Sequence, residues 1–152
     1  MCSSDLYDEN RKECIEFKNN LKLIIEEYIK NGYTEFISGM ALGVDTLCAE
    51  IVLELKDKYP DIKLECAIPC LNQSEKWSDN QKKRYIEILS KSDKVNYISK
   101  CNYTKNCMND RNKYLVDNAD ALIAVWNGKP SGTFNTIKMA KAINIPIKIL
   151  YI

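Results

Sequence analysis

Residues Phe36-Ile-Ser-Gly-Met-Ala-Leu-Gly-Val-Asp45 constrain the fold more than any other stretch of this chain. A short apolar run passes through two glycines directly into a segment of helical spacing with an acidic residue in its first turn. That pattern predicts a strand, a tight turn and a helix in immediate succession. Gly39 and Gly43 let the backbone turn and approach a ligand without Cβ obstruction. A helix starting there aims free N–H groups and a partial positive charge into the turn. The same junction also serves packing alone, so the turn by itself leaves ligand binding and a purely structural role both open.

The rest of the chain repeats this alternation. Phe17, Leu21, Ile24, Ile25, Tyr28 and Ile29 form a helical stripe over about Glu9 to Asn31, stopped by Gly32. A strand is expected at Thr34 to Ser38. Val44, Leu47, Cys48, Ile51, Val52 and Leu55 mark a helix ending near Tyr59-Pro60. Lys63 to Ile68 reads as a strand, and Ser78-Asp-Asn-Gln81 as a capping box opening a helix that buries Tyr85, Ile88 and Leu89. Lys94 to Ile98 is a strand and Arg111 to Asn118 a helix. Ala121 to Trp126 is apolar enough for a strand buried on both faces. Thr133 to Ile143, with Ile137, Ala140 and Ile143 inward, is the last helix, and Ile147 to Tyr151 closes the chain. Such alternation predicts an α/β fold with a mostly parallel sheet of about five strands between two helical layers. Right-handed crossovers gather the strand C-terminal ends on one edge, where ligands bind. Ser38 to Asp45, Pro69 to Trp77, Ser99 to Arg111 and Asn127 to Thr133 are expected there. With 152 residues and no internal repeat, residues 1–152 read as a single domain.

Composition narrows the chemistry. Twenty-two basic residues against 21 acidic ones give no global field for nucleic acid. No apolar run approaches a membrane span, and the start lacks a secretory pattern, so a cytoplasmic address is the default. Seven cysteines, an odd number without knuckle spacing, read as reduced thiols, with Cys14, Cys48 and Cys66 at core positions. No metal site is expected. Histidine is absent, which removes the commonest general base and any Ser-His-Asp arrangement.

Several edge segments taken together resemble a known family. The run Phe36 to Asp45, Leu64-Glu-Cys-Ala-Ile-Pro69, Glu75-Lys-Trp77, Arg111-Asn112, Val116-Asp117 and Gly132-Thr133-Phe-Asn-Thr136 are similar to the YpsA-like family. That family belongs to the SLOG superfamily, which joins the cytokinin-activating LOG enzymes with the Smf/DprA proteins. The resemblance runs from about Tyr7 to the C-terminus. It implies a Rossmann-like fold whose glycine-rich edge holds a nucleotide or nucleotide-derived ligand, and it implies self-association into a homo-oligomer.

Two departures stand out. Relatives start with a strand carrying Thr-Gly-His-Arg ahead of the first helix, and no such sequence stands in these 152 residues. A truncated start, a shortened variant or a gap filled by a partner would each account for it; an unfilled gap leaves bare sheet edges. LOG enzymes also pair an Arg with a PGGxGTxxE motif whose Glu serves N-glycosidic cleavage. Met108-Asn-Asp-Arg111 with Ala119 to Ala124 resembles the first half, and Pro130-Ser-Gly132-Thr133 a shortened second half, but Thr136 stands where the Glu belongs. Threonine cannot act as a carboxylate, which disfavours that route.

The expected ligand-binding set is Ser38, Gly39, Met40, Ala41, Gly43, Asp45, Trp77, Arg111, Asn112, Gly132, Thr133 and Asn135. Arg111 offers a planar fork for phosphate, or else a surface ion pair. Gly132 and Thr133 open a helix and offer N–H groups and a hydroxyl, or simply a cap. Asp45 would take a ribose hydroxyl and Trp77 would stack on a base. The expected function is recognition of a nucleotide-type ligand at the sheet edge by a sensor or regulatory protein, with no cofactor identified. The alternative is a nucleotide N-glycosidase in which Glu50 and Arg111 are catalytic. Single-stranded DNA binding is disfavoured by the charge balance.

Overall fold

A computed structural model describes residues 12–152. Ten elements alternate in order: α1 (Lys12–Lys30), β1 (Glu35–Ser38), α2 (Val44–Leu55), β2 (Lys63–Ile68), α3 (Asp79–Lys91), β3 (Lys94–Tyr97), α4 (Cys107–Asp117), β4 (Leu122–Trp126), α5 (Gly132–Ala142) and β5 (Ile147–Tyr151). Residues Glu9 to Arg11 of the expected first helix lie outside the described part.

All strand pairings are parallel, in a Rossmann-like α/β arrangement. The single sheet expected is divided in two: β1-β2-β3 forms one sheet and β4-β5 another. Each connection is a strand–helix–strand crossover, which is right-handed for parallel strands. The chain therefore runs outward from β1 to β3, then returns through α4 to the other side of β1. Strand order reverses between β1 and β4, and that is where the sheet is interrupted.

Amphipathic spacing explains the core. Phe17, Leu21, Ile25 and Ile29 recur every four residues along α1 and are all buried. They meet Ala49, Ile51, Val52 and Leu55 of α2 and Leu64, Cys66 and Ile68 of β2. Ile123 and Val125 of β4 and Leu150 of β5 pack against the same cluster. One core thus spans both sheets.

The capping box opening α3 is present: the Gln81 N–H donates to Ser78 Oγ at 3.2 Å, and the Ser78 N–H donates to Gln81 Oε1 at 2.9 Å. Ser78→Ala should therefore lower stability by about 0.5–2 kcal/mol, read as a shift of the urea unfolding midpoint at unchanged slope.

Two burial expectations are corrected. β4 is not buried on both faces; only Ala124 is, while Leu122, Ile123, Val125 and Trp126 are half-buried beside the interruption. Ile143 is 48% exposed, because α5 ends at Ala142 and Ile143 falls in its C-cap instead of the inward stripe. No helix among the described residues is long and apolar enough to cross a membrane.

Candidate functional site

The turn after β1 is pinned by its own side chains. Ser38 Oγ accepts from the Met40 N–H at 3.2 Å and donates to the Asp45 carbonyl at 2.9 Å. The Ala41 N–H donates to Asp45 Oδ2 at 3.2 Å. The carboxylate of Asp45 therefore already occupies part of the α2 N-terminus, the place an anion would otherwise take. Gly43 precedes the helix at φ 101°, ψ −116°, a region open essentially to glycine alone.

Arg111 enters from α4, one turn into the helix, and is only 6% exposed. Its Nη1 donates to the Gly39 carbonyl, and its Nε donates to Asn112 Oδ1 at 2.9 Å. A Cβ on Gly39 would stand 2.8 Å from that guanidinium, so the absence of a side chain there is what admits it. Asn112 in turn lies beside the start of α5, with its Nδ2 3.8 Å from where a Cβ of Gly132 would be. At that helix start, Ser131 Oγ accepts from the Phe134 N–H at 3.2 Å. The end of β1, Arg111, Asn112 and the N-terminus of α5 thus form a continuous chain of contacts.

These groups line the mouth of an open cleft of about 1620 Å³ that lies between β1 and β4 and extends past β1 to Lys63–Glu65 of β2 and to Asp93 and Lys94 at the start of β3. Ser38, Gly39, Ala41, Gly43, Asp45, Arg111, Asn112, Gly132 and Thr133 all face it. Three expected residues do not. Met40 is fully buried in the core, with φ 55° turning its side chain inward. Trp77 meets Tyr85 edge-on at 5.1 Å and packs against the core. Asn135 points to solvent on α5. The loops after β2 and β3 hold each other: the Leu71 N–H donates to the Cys101 carbonyl at 3.0 Å, and the Tyr103 N–H to Asn72 Oδ1 at 2.7 Å; the loop after β2 also reaches the β1–α2 turn, where Gln73 Nε2 donates to the Met40 carbonyl at 2.9 Å. Glu50 also lies elsewhere, accepting from Arg84 Nε of α3 at 2.6 Å. Ser131 also lines the cleft, outside the expected set, and so does Thr136, which the sequence offers with Asn135 as an extension of the polar surface begun at Gly132 and Thr133. Thr136 donates its hydroxyl to the Gly132 carbonyl at 2.9 Å, a bond internal to α5.

Electrostatics inside the cleft are set by burial. Desolvation pushes the Asp45 carboxyl above its ordinary range, partly offset by the Arg111 guanidinium and the Ala41 N–H. Burial lowers the Arg111 pKa, opposed by Asp45 and by Cys107 and Cys70. Cys48 lines the cleft, but burial and the Asp45 charge push its thiol well up, so it is no nucleophile. Among the described residues, no group of three or more His, Cys, Asp or Glu side chains could hold a metal ion.

A raised Asp45 pKa carries a sign. Between the unfolded value of about 3.9 and the raised folded value, the folded chain holds a proton that the unfolded chain has released. Stability should therefore fall as pH rises through that interval. Asp45→Asn, which keeps an oxygen for the Ala41 N–H, should flatten this slope. Urea unfolding at steps from pH 4 to 7 tests it; parallel profiles for the two proteins would refute the assignment.

Comparison with known proteins finds relatives along most of the chain. The chain is 33% identical over 139 residues to an uncharacterized SPbeta prophage-derived protein, YoqJ, of Bacillus subtilis (strain 168), covering 84% of this chain and 81% of YoqJ. It is 34% identical over 122 residues to a UPF0398 protein of Bacillus cereus, and 33% over 122 residues to one of Bacillus thuringiensis (strain Al Hakam). Those matches cover 80% of this chain and 65% of each UPF0398 protein, so the chain spans just under two thirds of their length. The YpsA family model, that of the YspA SLOG family, matches residues 3–150, and the chain belongs to this family.

Proposed function

We propose that this protein binds a nucleotide or a nucleotide-derived small molecule at the mouth of the β1–β4 cleft, and that it acts as a sensor or regulatory protein. One observation carries the reading: a buried guanidinium, a carboxylate and the start of α5 line one opening at the C-terminal ends of parallel strands, where strand order reverses. Membership of the SLOG family points the same way. In this reading Arg111 and the N–H groups of Gly132 and Thr133 hold phosphate, and Asp45 receives a sugar hydroxyl. We place the role in the cytoplasm, in keeping with the free thiols of Cys48, Cys66, Cys70, Cys101 and Cys107. Self-association through the outer edges of β3 or β5 belongs to the same reading.

The side chains at the two positions weighed for the acid of glycosidic cleavage are engaged elsewhere. Glu50 is held by Arg84, and the Thr136 hydroxyl is committed to its own helix. Thermal-shift measurements against nucleoside mono-, di- and triphosphates and cyclic nucleotides test the proposal, because a ligand specific to the native state raises its melting temperature. A saturable shift that disappears in Arg111→Ala supports it. No shift with any compound at millimolar concentration refutes it, and release of free base would move the reading to an enzyme.

A further inference from the structure

One side of the mouth is cationic and aromatic. Residues 121–152, which build β4, α5 and β5, carry Lys129, Lys138, Lys141 and Lys148 and neither Asp nor Glu; the other 18 basic residues and all 21 acidic ones stand in residues 1–120. A near-neutral total thus hides a local positive excess, which adjoins the α5 start assigned to phosphate. The aromatic side chains of the cleft divide as sharply. Tyr28, Tyr33 and Phe36 stand at or before the start of β1, and Tyr114 of α4 gives its hydroxyl to Glu65 of β2. Among the described lining residues, Trp126 is the one aromatic at the C-terminal ends of the strands, beside Ser131, Gly132 and Thr133.

The indole of Trp126 is held in place by its neighbours. Its Nε1 donates to the Lys129 carbonyl at 2.7 Å, and the Lys129 N–H donates to Asn127 Oδ1 at 3.0 Å. Gly128, at φ 83°, supplies the left-handed backbone on which that turn depends. Phe134, in the first turn of α5, stacks nearly parallel to the indole, 13° at 5.4 Å, and Tyr151 of β5 leans against it, 40° at 6.1 Å. Lys138 Nζ stands 5.2 Å from the Phe134 ring centre. Trp126 is only half-buried and Tyr151 is 65% exposed, so the group keeps ring surface open. With its N–H spent on the loop, the indole offers π surface instead of a hydrogen bond. Phe134 also gives its N–H to Ser131 Oγ, which ties the rings to the turn whose N–H groups are assigned to phosphate.

We infer that Trp126, backed by Phe134 and Tyr151, is the base-stacking subsite of this opening, and that it selects purine nucleotides. The inference rests on the nucleotide reading of the same opening and gives that ligand a direction: its base lies toward β4 and α5, away from Trp77. Every base has a π face, so stacking tolerates different exocyclic groups, and its strength grows with the ring area covered. A fused purine covers more of the indole than a pyrimidine does, and adenine and guanine are accepted alike. Because the rings are already ordered, binding costs them little freedom.

The test uses Trp77→Phe, which leaves Trp126 as the sole tryptophan and keeps an aromatic ring against Tyr85. Mono- and diphosphates of adenosine, guanosine and uridine, and ribose phosphate without a base, are titrated by calorimetry while tryptophan emission is followed. The expected result is saturable quenching of Trp126 by the purine nucleotides, which bind about fivefold tighter than the uridine ones. Ribose phosphate should leave the emission unchanged. Trp126→Leu should weaken purine-nucleotide binding about tenfold and spare ribose phosphate; the emission of Trp126 is read without this variant, which keeps the test intact should it not fold. Binding that is lost in Arg111→Ala, yet neither changes Trp126 emission nor separates purine from pyrimidine, overturns the base subsite and leaves the phosphate site standing. Absence of binding by every compound at millimolar concentration overturns both.

Discussion

Arg111→Ala is expected to weaken nucleotide binding by about 2–4 kcal/mol, roughly 30- to 1000-fold, the range for truncating one partner of a desolvated, hydrogen-bonded charge pair. The residue is buried, and its orientation is set by two bonds: Nη1 to the Gly39 carbonyl and Nε to Asn112 Oδ1. It is therefore already in position before an anion arrives, and binding loses little side-chain freedom. Arg111→Lys should fall between the two, since an ammonium keeps the charge but not the planar fork. Two effects follow without ligand. The Gly39 carbonyl loses its donor, which costs about 1–3 kcal/mol where water cannot replace it. Asp45, deprived of the guanidinium that lowers its pKa, should titrate at still higher pH. Calorimetric titration with the nucleotide identified by thermal shift measures the first effect; binding within threefold of native would remove Arg111 from the site.

Why this arginine could be picked out from sequence, and the shape of its surroundings could not, has a physical explanation. Strong local signals survived folding. Lys63–Ile68 and Ile147–Tyr151 form strands over the expected residues, and Ser78 caps α3 as its spacing with Gln81 required. Weak local signals did not. α4 starts at Cys107 instead of Arg111: Asn106 stands at its N-cap without a side-chain cap bond, and no regular apolar stripe over Cys107 to Asp110 marks the first turn. That shift matters: one turn inside the helix, a long side chain leans back toward the N-terminus and so toward the sheet edge. The position of Trp77 is a tertiary fact, set by its edge-on contact with Tyr85 and its packing against the core. The half-burial of Ile123 and Val125 likewise reflects what stands beside β4, which the apolar run itself does not encode.

The two glycines of the β1–α2 turn should fail for different reasons when replaced by alanine, and the difference can be measured. Gly43→Ala is expected to lower stability by about 1–3 kcal/mol, since φ 101° with ψ −116° lies where a Cβ is strained whatever the space around it. The Gly43 carbonyl also accepts from the Leu47 N–H at 3.1 Å and from Thr46 Oγ1 at 2.8 Å, so relaxing the strain by rotation disturbs the first turn of α2. At Gly39 no positive φ is involved; the obstacle is the guanidinium, 2.8 Å from the new methyl. Gly39→Ala should therefore displace Arg111 and reproduce its binding defect. The double variant Gly39→Ala, Arg111→Ala should be no worse in binding than Arg111→Ala alone, because the clash disappears with the side chain that causes it. Gly43→Ala combined with Arg111→Ala should instead show additive losses of stability, since backbone strain at 43 does not depend on the arginine. Urea unfolding of the native, single and double variants gives both coupling energies. Additive binding losses at 39, or strong coupling in stability at 43, would mean that the turn is not shaped around Arg111.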